Sequence, residues 1–92
     1  MINYSSQYID QKDINSVIKT LKSKWLTTGP EVEKFEKNIK KKVNSKFCSV
    51  VNSATSALHL ACRALGVKSG DYVWTSSNTF VATANCALLS GA

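Results

Sequence analysis

Features that would place a protein in several common classes are scarce in this sequence of 92 residues. It has three cysteines, an odd number, and no Cys-x-x-Cys pair, so neither a disulfide framework nor a zinc site is predicted. No apolar run approaches the roughly 20 residues that a membrane-spanning helix needs. The first residues also lack the basic and apolar regions of a secretory signal. We therefore expect a cytoplasmic protein with reduced cysteines and no membrane partner.

The basic charge is unevenly distributed. The formal net charge is +6, and ten of the twelve basic residues lie between positions 12 and 46, interleaved with three glutamates. Because no known nucleic-acid-binding motif accompanies them, a solvated helix face is favoured over a nucleic-acid patch. A small basic module that binds phosphate or nucleic acid is the alternative outside enzymes. It predicts a chain that folds alone and binds polyanions with a steep salt dependence.

Two amphipathic helices are predicted in the segment 1–46. Asp10 fits an N-cap position with Asp13 three residues later, as in a capping box, and apolar residues then recur at helical spacing. Pro30 suits the first position of a second helix, whose apolar stripe runs to Val43.

The segment 47–92 is predicted to alternate strands and helices. Residues 47–51 and 72–75 are short β-prone runs, and helices are predicted near 56–65 and 80–89. This order indicates an α/β fold with helices flanking a parallel sheet. Two strands cannot form a stable sheet covered on both faces. We therefore expect an N-terminal fragment of a larger protein, with an incomplete core and marginal stability alone.

A run of small and hydroxyl residues, Asn-Ser-Ala-Thr-Ser-Ala-Leu at 52–58, joins the first predicted strand to its helix. Unpaired N–H groups at a helix start and the helix dipole attract anions, and Ser and Thr hydroxyls add donors. From the residues alone, an ordinary helix cap is the commoner interpretation. The second interpretation is a site that binds a phosphate group.

Four segments carry a resemblance to a known family. They are residues 4–10, Trp-Leu-Thr-Thr-Gly-Pro at 25–30, Asn-Ser-Ala-Thr-Ser-Ala-Leu-His-Leu at 52–60, and Thr-Phe-Val-Ala-Thr-Ala-Asn at 79–85. In this order and at these spacings they resemble the DegT/DnrJ/EryC1/StrS family of pyridoxal-phosphate-dependent sugar aminotransferases. The run at 52–58 is most similar to the pseudaminic acid branch. The resemblance implies the N-terminal part of the large domain of a fold-type I enzyme, which is usually a homodimer.

The resemblance also implies cofactor-binding residues. The turn that holds the phosphate of pyridoxal 5'-phosphate falls on Ala54, Thr55 and Ser56, which agrees with an anion site at a helix start. Phe80 takes the position of an aromatic ring stacked on the cofactor's pyridine ring. A core aromatic is the ordinary alternative for Phe80.

Two further residues fall in segments that the family brings near its substrate. These residues are Tyr4 and Thr28. For Thr28, the competing interpretation is a simple turn between helices. No metal site and no nucleic-acid partner are implied.

The implied reaction is a transamination from glutamate to C4 of a UDP-linked 4-keto-6-deoxy sugar. In the family, the lysine that binds the cofactor and the aspartate that pairs with its pyridine nitrogen lie after the region matched here. No lysine of this sequence matches that motif, so no catalytic residue is assigned and the chain alone is expected to be inactive. The alternatives within the family are another sugar aminotransferase and a sugar dehydratase with histidine in place of that lysine.

Overall fold

The computed structural model describes residues 5–92, which divide into two compact units. The first unit ends at Cys48 and the second covers Ser49–Ala92. Helices α1 (Gln11–Leu21) and α2 (Pro30–Val43) belong to the first unit. Helices α3 (Ala54–Ala64) and α4 (Ala82–Leu89) belong to the second.

Helix α1 begins with the predicted capping box. The Asp10 carboxylate accepts hydrogen bonds from the backbone N–H groups of Lys12 at 2.7 Å and Asp13 at 3.1 Å. The Asp13 carboxylate accepts in return from the Asp10 N–H at 3.0 Å. These contacts satisfy donors that have no partner within the helix, so the local sequence alone determines where α1 starts.

Helix α2 confirms the predicted role of Pro30, which occupies the first helical position after the N-cap Gly29. The helix ends at Asn44, which adopts the left-handed conformation with φ 52°. The Ser45 N–H donates to the Lys40 carbonyl at 3.0 Å and so satisfies one of the last carbonyls. Three lysines in the last turn complement the negative end of the helix dipole.

The first unit leaves its apolar stripes uncovered. Neither α1 nor α2 has a buried residue. Val17 and Leu21 of α1 are 60% and 64% exposed, and Phe35 of α2 is 54% exposed. Apolar helix faces of this extent are normally buried against other parts of a protein. Among the described residues of the first unit, nothing covers the apolar faces of α1 and α2.

The prediction of strands at residues 47–51 and 72–75 is wrong, because no β-strand occurs among the described residues. A strand is defined by a ladder of backbone hydrogen bonds to a neighbour, and neither segment pairs with another. The segment 72–75 instead lies beside α4, and the two line a cavity of about 250 Å³. The predicted α/β class is therefore not expressed as a sheet by residues 5–92.

Helix α3 starts two residues earlier than predicted and ends in a glycine motif. Gly66 has φ 75°, and its N–H donates to the Arg63 carbonyl at 3.1 Å. The Val67 N–H donates to the Cys62 carbonyl at 3.0 Å. This pair of bonds is a Schellman motif, which needs a residue that tolerates positive φ. Helix α4 also starts two residues from its predicted position, later than expected, without a side-chain cap.

The core of the described chain is the contact between α3 and α4. The buried side chains there are Cys62 of α3, Ala82 and Cys86 of α4, and Ser90 just after α4. Ala82, Cys86 and Ser90 recur every four residues and therefore form one stripe along a helix. We call this contact the α3–α4 seam.

We expect the folded state to lose stability at alkaline pH because of a thiol in the α3–α4 seam. The hydrogen bond with Cys86 raises the pKa of the Cys62 thiol, and burial raises it further. As pH passes the ordinary thiol value of 9.0, the unfolded chain therefore loses this proton before the folded chain does. The unfolded state then binds fewer protons, so stability falls with rising pH.

The free energy of unfolding is measured by urea titration, followed by circular dichroism, at neutral pH and at about one pH unit above the ordinary thiol pKa of 9.0. Cys62→Ala should reduce the alkaline loss, whereas Cys48→Ala, in the other unit, should retain it. An equal loss in the wild type and Cys62→Ala would contradict the assignment to this thiol.

Candidate functional site

The start of α3 is built around three polar side chains. Ser53 is the N-cap with φ −157° and ψ 157°, and its Oγ accepts a hydrogen bond from the Ser56 N–H at 3.2 Å. The Ser56 hydroxyl donates to Asn52 Oδ1 at 2.9 Å. Because that hydrogen is used, the 3.0 Å contact between the two Oγ atoms has Ser53 as donor. The turn is thereby held by its own side chains.

Two backbone donors in the first turn of α3 have no acceptor among the described residues. The Ala57 N–H donates to the Ser53 carbonyl at 3.1 Å and the Ser56 N–H to Ser53 Oγ, which leaves those of Ala54 and Thr55. Both residues are exposed, and the first turn of α3 carries no acidic residue. Unpaired N–H groups at the positive end of a helix dipole can bind a phosphate-sized anion.

The three predicted residues of this turn differ in what they can offer. Ala54 offers a backbone N–H, and Thr55 offers an N–H and a hydroxyl with no described partner. Ser56 is half-buried, and its hydroxyl and N–H are both engaged within the turn. A Ser56 contact with an anion therefore requires exchange of the hydrogen bond to Asn52.

Sequence reasoning did not single out Asn52 and Ser53 as site residues, although both organise the turn. The signal was present, because Asn and Ser directly before a helix are favoured caps. Ser53 makes the cap hydrogen bond and Asn52 anchors the Ser56 hydroxyl. The helix-cap and anion-site interpretations are thus compatible: one set of groups caps the helix and another remains available.

Phe80 precedes α4 and presents its ring to solvent. The residue is 75% exposed, and its carbonyl accepts from the Thr83 N–H at 3.0 Å in the turn that leads into the helix. No hydrogen bond or ring contact joins it to the α3 turn within the described chain. An exposed ring on a hydrogen-bonded turn has a face available for stacking on a planar group.

Thr28 lies in the first unit and has a strained backbone. Its φ is 49°, a value that β-branched residues rarely adopt, and its side chain is exposed. Such outliers cluster at ligand-binding positions, although they do not identify the ligand. The other predicted substrate residue, Tyr4, lies outside the described residues.

Residues 5–92 contain neither a cluster of metal-binding side chains nor a helix that could span a membrane. No group of three or more His, Cys, Asp or Glu side chains is placed to hold a metal ion. The helices of this part of the chain are all too short or too polar to cross a membrane.

Comparison with known proteins gives a consistent result. The sequence model of the DegT/DnrJ/EryC1/StrS aminotransferase family matches residues 7–92. The chain is 51% identical over its whole length to the UDP-4-amino-4,6-dideoxy-N-acetyl-beta-L-altrosamine transaminase of Campylobacter jejuni subsp. jejuni serotype O:23/36 (strain 81-176), of which it covers 24%. It is 45% identical over 97% of its length to the spore coat polysaccharide biosynthesis protein SpsC of Bacillus subtilis (strain 168), of which it covers 23%.

A third relative is an aminotransferase for a different sugar. The chain is 39% identical over 91% of its length to the UDP-4-amino-4-deoxy-L-arabinose–oxoglutarate aminotransferase of Shewanella sediminis (strain HAW-EB3), of which it covers 22%. The chain thus spans about a quarter of the length of the curated relatives that it matches.

Proposed function

This chain belongs to the DegT/DnrJ/EryC1/StrS aminotransferase family, and on that basis we propose that it supplies the phosphate-binding part of a pyridoxal-phosphate-dependent sugar-nucleotide transaminase. Members of the family are generally dependent on pyridoxal phosphate. The observation that carries the proposal is the pair of unpartnered N–H groups of Ala54 and Thr55 at the start of α3.

These donors fit the phosphate of the cofactor. The phosphate is a dianion, and charge-assisted hydrogen bonds from several donors at one helix start offset the cost of removing it from water. Ala54 and Thr55 provide two backbone donors, and the Thr55 hydroxyl provides a third. The absence of acidic residues from the first turn of α3 removes the repulsion that would oppose binding.

Ser56 and Phe80 complete the proposed cofactor site. Ser56 contributes its hydroxyl by exchanging its bond to Asn52 for one to the phosphate. The exposed Phe80 ring stacks on the pyridine ring, which orients the planar group and excludes water from one face. When bound, pyridoxal phosphate supplies the electron sink for amino-group transfer.

The remaining elements of the proposal concern the whole enzyme. The name of the Campylobacter relative supports transfer of an amino group to C4 of a UDP-linked 4,6-dideoxy sugar. We propose glutamate as the amino donor and a UDP-linked 4-keto-6-deoxy sugar as the acceptor. Tyr4 and Thr28 are assigned to substrate contact. We place the enzyme in the cytoplasm as a homodimer of fold-type I, with 1–46 as a helical segment and 47–92 as the start of the large domain.

A chimera tests this function. The 92-residue chain replaces the matching quarter of the Campylobacter transaminase, with which it aligns end to end. We expect the purified chimera to retain bound pyridoxal phosphate, with visible absorbance that decreases on addition of glutamate. It should also transfer the amino group to the parent enzyme's sugar substrate.

The parent enzyme processed in parallel is the control. A chimera that folds and dimerises like the parent but holds no cofactor would overturn the proposed phosphate site. Cofactor binding with water loss from the sugar and no amino transfer would instead favour the dehydratase alternative. Tight, salt-sensitive binding of nucleic acid by the 92-residue chain alone would favour the basic binding module.

A further inference from the structure

The α3–α4 seam brings two of the three cysteines together. Cys62 and Cys86 are 8% and 4% exposed and lie on the two helices that pack against each other, and the Cys86 side chain raises the pKa of the Cys62 thiol. Both are unoxidised in the structure, as is the half-buried Cys48 of the first unit. The two seam thiols are therefore positioned by helix packing and not by closeness in sequence.

Neighbouring hydrogen bonds hold the α4 thiol in place. The Cys86 thiol donates to the Thr83 carbonyl at 3.1 Å. Ser90 is 6% exposed, its hydroxyl donates to the Cys86 carbonyl at 2.8 Å, and its side chain lowers the pKa of the Cys62 thiol. Cys62 therefore faces Cys86 and Ser90, which follow each other along the buried stripe of α4. This packing restricts how far the two sulfur atoms can move apart.

We propose that Cys62 and Cys86 form an oxidisable dithiol, which hydrogen peroxide converts to a disulfide that links α3 to α4. One thiol releases its proton, its sulfur attacks a peroxide oxygen as a thiolate, and the O–O bond breaks to give a sulfenic acid and hydroxide, which takes up the released proton to form water. The second sulfur attacks the first, the S–O bond breaks, and the departing hydroxide takes the remaining thiol proton to form another water. One peroxide is reduced and two thiols are oxidised.

The location of the pair determines which oxidants reach it. Burial in the α3–α4 seam excludes bulky reagents such as glutathione disulfide, whereas peroxide is close to water in size. The reaction is slow compared with that of an exposed, acidic thiol, because a buried thiol stays protonated. A disulfide is nevertheless the expected product, because the first sulfur to be oxidised has the second thiol in the same buried seam.

Peptide mapping of the 92-residue chain tests the proposal. The folded chain is treated with peroxide, the remaining thiols are alkylated, and the chain is cleaved after Lys and Arg. Cys48 and Cys62 then fall on one peptide, 47–63, and Cys86 falls on another, 69–92. We expect peptides 47–63 and 69–92 to be joined, with Cys48 alkylated, and a loss of the mass of two hydrogens.

Two controls separate helix packing from chance encounter. Cys48→Ala should retain the joined peptides, whereas Cys62→Ala and Cys86→Ala should each lose them. In concentrated urea, Cys48 is nearer to Cys62 along the chain than Cys86 is, so loop closure favours a link within peptide 47–63. The joined peptides should therefore dominate for the folded chain and become the minor product in urea.

Three outcomes would overturn the proposal. They are a dominant Cys48–Cys62 link in the folded chain, oxidation of the seam thiols without any link, and the same product ratio with and without urea. The wild-type comparison with and without urea needs no substitution, so the test stands even where a cysteine variant fails to fold.

Discussion

Replacement of Thr55 by aspartate should lower the affinity of the chimeric transaminase for pyridoxal phosphate by roughly 100-fold or more. Loss of one charge-assisted hydrogen bond costs about 1.5–3 kcal/mol, which corresponds to roughly 10- to 100-fold in affinity. The new carboxylate adds repulsion against the phosphate dianion. The effect is large because the substitution removes the Thr55 hydroxyl and also places a carboxylate in a first turn of α3 that carries no acidic residue.

The same substitution should leave α3 intact, since a carboxylate in the first turn interacts favourably with the helix dipole. Cofactor affinity is measured by titration of the cofactor-free chimera, and helix content by circular dichroism. Ser69→Asp, at an exposed position of the same unit, adds the same charge and should bind like the unsubstituted chimera. Wild-type affinity in Thr55→Asp would remove this turn from the phosphate site.

Replacement of Ala82 by aspartate should unfold the second unit. Ala82 is 4% exposed and lies in the α3–α4 seam, whose buried residues are Cys62, Ala82, Cys86 and Ser90 and carry no positive charge. A buried, unpaired charge costs about 3–5 kcal/mol. A folded unit of this size has on the order of 2–7 kcal/mol of stability, so the substitution removes most or all of it.

Hydrogen exchange of the α3 and α4 amides in the 92-residue chain measures this effect. Ala84→Asp is the matched control, because Ala84 lies in the same turn of α4 but is exposed. The α3 and α4 amides of Ala84→Asp should be protected from hydrogen exchange as in the wild type, whereas those of Ala82→Asp should exchange at the rate of an unfolded chain. Equal protection in the two variants would mean that the seam is not the core of this unit.

The helix termini were largely predictable because their determinants lie within a few residues. Asp10 and Asp13 form a capping box between positions three apart, and Pro30 starts α2. The start of α4 was less predictable. Its N-cap, Val81, makes no side-chain hydrogen bond, so no local signal marks the boundary.

The candidate site was predictable only in part. The segment 52–58 identified a polar helix start, and the resemblance pointed to Ala54, Thr55 and Ser56. The sequence did not indicate that the Ser56 hydroxyl donates to Asn52. Which donors are used within the turn and which remain available depends on side-chain geometry, and residue type does not specify that geometry.

By itself, the sequence determined the family, the two helices of the first unit and the polar start of α3. These follow from caps, periodicity and motif spacing, which are interactions and patterns of short range. Only the tertiary structure decided that residues 47–51 and 72–75 form no sheet and that Cys62 and Cys86 are buried in one seam. A strand needs a partner and a seam needs a second helix, so both depend on contacts between residues far apart in the chain.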